Sequence, residues 1–347
     1  VSITLLRYAL TLLIGILAAQ AAVWLHSPLP WMIGPLVAIS LGRLRGWPLA
    51  VFPGGRQAGQ WMVGTTLGLY FTPLINAQLL HYSWAILLGT AYALALGVVC
   101  ALLLRRWAQV DFVTAFFSTA IGGSSEMSLQ AERHGAPGYK VAAAHSVRLM
   151  LVVMILPFSY QFLGLHGLDP YFPAVVQVRY GGLLWLIAAT VPLALLMKRL
   201  GAANAWVLGP LLASLLLTAN GVELTAMPRW VVNGGQLLLG CTLASRFSPD
   251  FIHEARRFLG AVIRVVLLAL AVSALFGWAL AALMGAHPAT LILATAPGGI
   301  AEMTLTAKVL ELGVPLVTAF HVTRAVALIL LVGPLCRYLS PKFANYV

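Results

Sequence analysis

Thr119-Ala-Ile-Gly-Gly-Ser-Ser-Glu-Met-Ser-Leu129 recurs, little changed, as Thr295-Ala-Pro-Gly-Gly-Ile-Ala-Glu-Met-Thr-Leu305. Each copy is followed by His-x-x-Arg, first His145 to Arg148 and then His321 to Arg324. Glu126 and Glu302 lie 176 positions apart (302 − 126), as do the two histidines. A Gly-Gly step interrupts a helix, because glycine costs ~1 kcal/mol in a helix interior and accepts positive φ. Two such breaks, each with a glutamate three residues on, match the paired discontinuous segments of secondary transporters.

The surrounding chain is oily. Hydrophobic residues make up 61% and charged residues 9%, against ~45–50% and ~25% in soluble domains. Long apolar runs recur at Trp84–Leu104, Leu149–Leu165, Gly181–Met197 and Val262–Met284. They are continuous rather than alternating, which predicts an all-α polytopic membrane protein and not a barrel. The net charge of +12 comes from basic residues standing singly or in pairs beside apolar segments. That is a topology signal, and it argues against a nucleic-acid partner. Cys100, Cys241 and Cys336 lie in apolar segments without CxxC spacing, so neither a disulfide framework nor a zinc site is expected. No phosphate loop, Ser-x-x-Lys or HExxH occurs, and the eight histidines do not cluster at metal-ligand spacing. The expectation is a protein that is not an enzyme and carries no metal or cofactor.

The duplication runs along the whole chain. Trp31-Met-Ile-Gly-Pro-Leu36 matches Trp206-Val-Leu-Gly-Pro-Leu211. Gln60-x-x-x-Gly64-x-Thr66-Leu67 matches Gln236-x-x-x-Gly240-x-Thr242-Leu243, and Phe71-Thr-Pro73 matches Phe247-Ser-Pro249. The halves are residues 1–165 and 179–347, joined by a turn-rich linker, 166–178, that holds Asp169-Pro170 and Pro173. Residues 2–25 have the outline of a signal peptide. By position they correspond to the stretch from Arg179-Tyr180, whose apolar run must be a real span, so a retained helix is expected.

Each half reads as six segments. The first half predicts 3–25, 30–43, 56–71, 78–104, 111–134 and 138–163. The second predicts 180–199, 204–218, 229–246, 251–284, 287–312 and 315–339. If the fifth, Gly-Gly-broken segment is re-entrant, each half makes five crossings and the second half is inverted. With the N-terminus inside, two of the 21 basic residues, Arg148 and Arg324, are embedded in helices. Arg179, Arg229 and Lys308 fall outside, and the remaining sixteen are cytoplasmic, a strong positive-inside bias. If the fifth segment crossed fully, the repeats would be parallel and Lys198-Arg199 would fall outside. Both termini are expected in the cytoplasm of a bacterial inner-membrane protein.

The breaks at Gly122-Gly123 and Gly298-Gly299 free backbone groups at membrane depth, tolerated where they line a cavity. The helix starts that follow are suited to an anion or dipole. A packing kink or a close helix contact is the plainer alternative. Glu126 and Glu302 are intramembrane carboxylates that need a partner or a function. They could bind a cation, carry a proton, hold substrate, or cap the next helix from its third position behind Gly123 or Gly299. Arg148 and Arg324 lie about ten residues, ~15 Å, into their helices. His145 and His321 sit one turn earlier on the same face. The glutamates are the expected partners of the arginines, in a core-locking salt bridge or a switchable network. Thr119, Thr295, Ser118, Ser124, Ser125, Ser128 and Thr304 add hydroxyls beside the breaks. Gln60 and Gln236 are cavity-lining candidates, with interhelical hydrogen bonding as the alternative. Trp31 and Trp206 mark helix entry at the interface.

Trp-x-x-Gly-Pro-Leu, Ala-Pro-Gly-Gly-Ile-Ala-Glu-Met and His-x-x-Arg together resemble the bacterial AbrB-type membrane protein family, whose members carry a duplicated module. The resemblance covers essentially the whole chain. The second half fits better, since the first has Ile121 for Pro297 and Ser124-Ser125 for Ile300-Ala301. The family's labels, regulator and ammonia monooxygenase, find no support in these residues. The chain is also unlike the small swapped-hairpin DNA-binding domain that shares the name. The first expectation is a secondary transporter of a small solute, tilted toward an organic anion by two arginines and two helix N-termini. Its partners would be the lipid bilayer, the solute, and H+ or Na+ as coupling ion, with a homo-oligomer left open. The alternative is a membrane-embedded sensor or regulator that binds ligand without transport.

Overall fold

The computed structural model describes residues 2–167, 175, 177–202, 204–247 and 256–344. Every regular element among them is a helix, fifteen in all. The first half contributes α1 (Ser2–Trp24), α2 (Pro30–Leu44), α3 (Gly55–Gly68), α4 (Pro73–His81), α5 (Ser83–Ala108), α6 (Phe112–Thr119), α7 (Ser124–Arg133) and α8 (Gly138–Phe162). The second contributes α9 (Tyr180–Arg199), α10 (Ala205–Ala219), α11 (Arg229–Ala244), α12 (Arg256–Met284), α13 (Pro288–Thr295), α14 (Ile300–Val309) and α15 (Val314–Ala344). Asp169, Pro170 and Pro173 of the expected linker lie outside the described residues, as do Ser248 and Pro249.

The segment reading holds with one correction. The expected span 78–104 is two helices, a short α4 and then α5, parted at Tyr82. His81-Tyr82-Ser83 interrupts the apolar run there, a sign of the corner that the segment reading passed over. Trp31 and Trp206 each occupy the second position of their helix, behind Pro30 and Ala205. Proline suits that first turn because its missing N–H would have no intrahelical partner there.

Among the described residues, six helices are long and apolar enough to cross a membrane: Ile3–Trp24, Ser83–Ala108, Gly138–Phe162, Tyr180–Arg199, Arg257–Met284 and Val314–Lys342. Large apolar side chains such as Leu184, Trp185 and Leu275 are about 70% exposed on them. Such surfaces suit lipid rather than water. At 1.5 Å per residue, α2, α3, α10 and α11 measure only ~21–24 Å, short of a ~30 Å hydrocarbon core.

The chain forms two compact units, and each draws on both halves. The first holds residues 1–80, 157–252 and 304–315; the second holds 81–156, 253–303 and 316–347. In the first unit α1 packs on α2, α2 on α11, α11 on α3, α3 on α10, and α10 on α9. That order reads the same from either end when α1–α3 are matched with α9–α11. Glycine makes the crossings close. A Cβ on Gly64 of α3 would strike the carbonyl of Val207 in α10, and one on Gly240 of α11 would strike that of Met32 in α2. Small residues at such crossings let helix backbones touch.

In the second unit α6 packs on α5, α5 on α12, and α12 on α13. Tyr92 of α5 stacks on Phe276 of α12, with ring centroids 3.8 Å apart and planes 2° from parallel. The Tyr92 hydroxyl also lies 3.1 Å from Ser273 Oγ. This unit contains both Gly-Gly breaks.

Candidate functional site

Each break is built the same way. Helix α6 starts on Asp111, whose carboxylate accepts from the Thr114 N–H at 2.8 Å, and ends at Thr119. Thr119 Oγ1 donates among the carbonyl oxygens of Ala115 and of Gly97 in α5, both at 3.0 Å. At the matching place Thr295 Oγ1 lies 2.8 Å from Leu291 O and 3.1 Å from Ser273 O in α12. Ala120 and Ala296 then turn the chain into extended conformation, with ψ of 128° and 146°.

The glycines act through their lack of bulk, not through left-handed backbone. Gly123 has φ −70°, and none of the four break glycines is among the residues with positive φ. A Cβ on Gly122 would instead come within 2.9 Å of the Met127 side chain. A Cβ on Gly298 would collide with Met303, and one on Gly299 with the Glu302 carboxylate. The spacing Gly-Gly-x-x-Glu-Met is thereby accounted for. The fully buried methionine folds over the first glycine, and in the second copy the glutamate lies over the second. That position places Glu302 at the start of α14, as a capping carboxylate would sit. Glu126 is half-buried in the first turn of α7.

The arginines hold the other side of each break. Arg148 donates from Nη1 to Ala120 O at 2.9 Å and from Nη2 to Gly122 O at 3.1 Å. Arg324 donates to Ala296 O at 2.8 Å and to Gly298 O at 2.6 Å. Both side chains are about 95% buried. The planar fork matches two carbonyls at the negative end of a half-helix, a place that favours a cation. The terminal N–H groups of both arginines go to backbone carbonyls at the ends of α6 and α13. Glu302 still lies within electrostatic reach of Arg148 from the other half, and Arg148 within reach of Arg324.

The histidines complete the clamp. His145 Nε2 lies 2.9 Å from Phe117 O, and His321 Nε2 lies 3.1 Å from Leu293 O. A carbonyl only accepts, so both rings carry their proton on Nε2. Arg324 Nη2 then donates to His321 Nδ1 at 2.7 Å, which assigns that ring as neutral. Each bond of Thr119, His145 and Arg148 has its counterpart 176 positions on.

The remaining candidates are more dispersed. Ser118 and Ser124 are buried, Ser125 is exposed, and Ser128 Oγ donates to Ser124 O at 2.8 Å. Thr304 is fully buried and groups with the first unit. Half-buried Gln60 and buried Gln236 sit on α3 and α11, in the first unit rather than the one holding the breaks. Sequence reading missed Met127 and Met303, although the repeat marks both. It expected free backbone groups at the breaks but did not match their carbonyls to the arginines. No group of three or more His, Cys, Asp or Glu among the described residues could hold a metal ion.

A Bacillus subtilis (strain 168) protein, YhjN, is 28% identical over 341 residues, covering 89% of this chain and 87% of its own. An Escherichia coli (strain K12) protein named as a regulator, AbrB, is 24% identical over 346 residues, covering 96% and 97%. No solved structure matches significantly. The family model described as "Transition state regulatory protein AbrB" matches residues 31–340, and the chain belongs to that AbrB family.

Proposed function

We propose that this chain is a secondary transporter of a small solute, an organic anion by preference, driven by H+ or Na+ across the bacterial inner membrane. The observation that carries the reading is the pair of clamped breaks. A buried guanidinium, a buried histidine and a threonine hold each break open at one shared register, far beyond what a packing kink requires. Arg148 and Arg324 act on one another as like charges, with Glu302 as the nearby counter-charge on Arg148. A carboxylate arriving between half-helix N-termini would relieve that repulsion. Glu302, and Glu126 beside the other break, are the proposed carriers of the coupling ion.

The proposed topology is two inverted repeats of five crossings each, residues 1–165 and 179–347, with both termini cytoplasmic. The positive-inside distribution supports it, as does the symmetric packing order in the first unit. No catalytic step is assigned. Purified protein screened by thermal shift against organic acids, amino acids and small cations, then assayed for uptake in proteoliposomes, tests the reading. Stabilisation by an organic acid, reduced in Arg324→Ala, followed by gradient-driven uptake is expected. A screen and flux assay that are both silent would contradict it. The second reading, a ligand sensor, is favoured by the Escherichia coli relative's name. It would be upheld by ligand-dependent binding of a soluble partner without flux.

A further inference from the structure

We propose that a single chloride-sized anion occupies a small cavity beside the first helix break. The cavity, about 20 Å³, exceeds the ~10–15 Å³ that one water needs and suits a monatomic ion. Its polar lining comes from Ser118, Thr119 and Arg148; the walls are otherwise apolar, from Leu96 and Val265 to Pro297, apart from the Cys100 thiol.

Two of these polar groups are left without partners. Arg148 is 5% exposed and Ser118 is 4% exposed. With both Nη atoms of Arg148 on carbonyls, its Nε has no hydrogen-bond partner, and neither has Ser118 Oγ. An unmade hydrogen bond on a buried polar group costs ~1–3 kcal/mol, more on a charged one, so an occupant is expected. Guanidinium N–H groups only donate, and their charge repels a cation. An anion accepts from both groups and offsets the repulsion between Arg148 and Arg324.

Arg324 Nε of the second copy is likewise without a partner, but two positions that line the cavity differ there. The position equivalent to Gly97, which lines the cavity, is Ser273, whose side chain meets Tyr92. The position equivalent to Ser118 is Ala294. The second copy thus adds bulk where the first leaves room and loses the hydroxyl.

This inference deepens the transport reading and rests on it for treating the break as a ligand site. The test is thermal unfolding of the full chain in sodium gluconate, with halide replacing gluconate at constant ionic strength. Chloride should raise Tm saturably, iodide less, and sulfate not at all. Ser118→Ala should raise the half-saturating chloride concentration about tenfold, as expected for one lost hydrogen bond to a charge. Gly97→Ala should abolish the response by filling the cavity. Its added methyl would lie 3.8 Å from Ala120 Cα and 4.0 Å from Thr119 O, ordinary contacts that leave the fold intact. No chloride response, an equal response to sulfate, or an unchanged response in Gly97→Ala would overturn the proposal and leave water as the occupant. Organic-anion uptake measured alongside separates the two readings. Uptake without a halide response removes only the halide site, and a halide response without uptake removes only transport.

Discussion

Arg324 directs Nη1 to Ala296 O and Nη2 to Gly298 O and His321 Nδ1. Lysine has one charged nitrogen on a flexible stem and cannot span two carbonyls in a fixed plane. Arg324→Met should therefore cost about 1–3 kcal/mol for each carbonyl left without a donor. Arg324→Lys should recover less than half of that loss. Unfolding midpoints in detergent check the order: wild type, then lysine, then methionine. Equal stability of all three would mean that the clamp contributes nothing to the fold. The His-x-x-Arg pairs were legible because they are duplicated. Their acceptors were not, because the choice between a carboxylate and a carbonyl depends on where the chain turns after Thr119 and Thr295. The turn itself was legible as Gly-Gly. Its cause was misjudged, since the glycines make room for Met127, Met303 and Glu302 instead of adopting positive φ.

Helices α3 and α11 reach α10 and α2 across bare glycine backbone. Gly64→Ala and Gly240→Ala each push a methyl into a carbonyl oxygen on the neighbouring helix. A helix backbone cannot give way as a side chain can, so each should cost about 1–3 kcal/mol. Gly260 of α12 has nothing within 4 Å of an added Cβ. Gly260→Ala should be neutral, or stabilising by up to ~1 kcal/mol through helix propensity. Thermal unfolding of the three variants compares a crossing with an open helix face, and equal losses in all three would remove the close-approach argument. Element positions were largely readable, because apolar runs, prolines and the Gly-Gly steps punctuate this chain. The α4–α5 corner was passed over, although the polar His81 and Ser83 flank Tyr82 there. Which helix meets which was also hidden, because it depends on non-local fit between glycine faces and partner backbones.

The halves seen in the sequence and the compact units are different divisions of one chain. Each unit takes matching helices from both halves, a regrouping that similar composition throughout kept out of view. Opposite orientation of the repeats is testable at matched sites. Arg133 and Val309, at the ends of α7 and α14, are both exposed and lie 176 positions apart. The native cysteines are buried, so labelling background is low. An Arg133→Cys variant should react with a membrane-impermeant thiol reagent only from the cytoplasmic side, and Val309→Cys only from outside. Labelling of both from one side would make the repeats parallel. The central claim is that the clamped breaks carry solute and coupling ion. Its most direct test is gradient-driven uptake in proteoliposomes, comparing wild type with Glu302→Gln at matched thermal stability. Accumulation by the wild type, with loss of uptake or of its dependence on the ion gradient in the variant, is the predicted result; coupled uptake unchanged by Glu302→Gln would contradict the account.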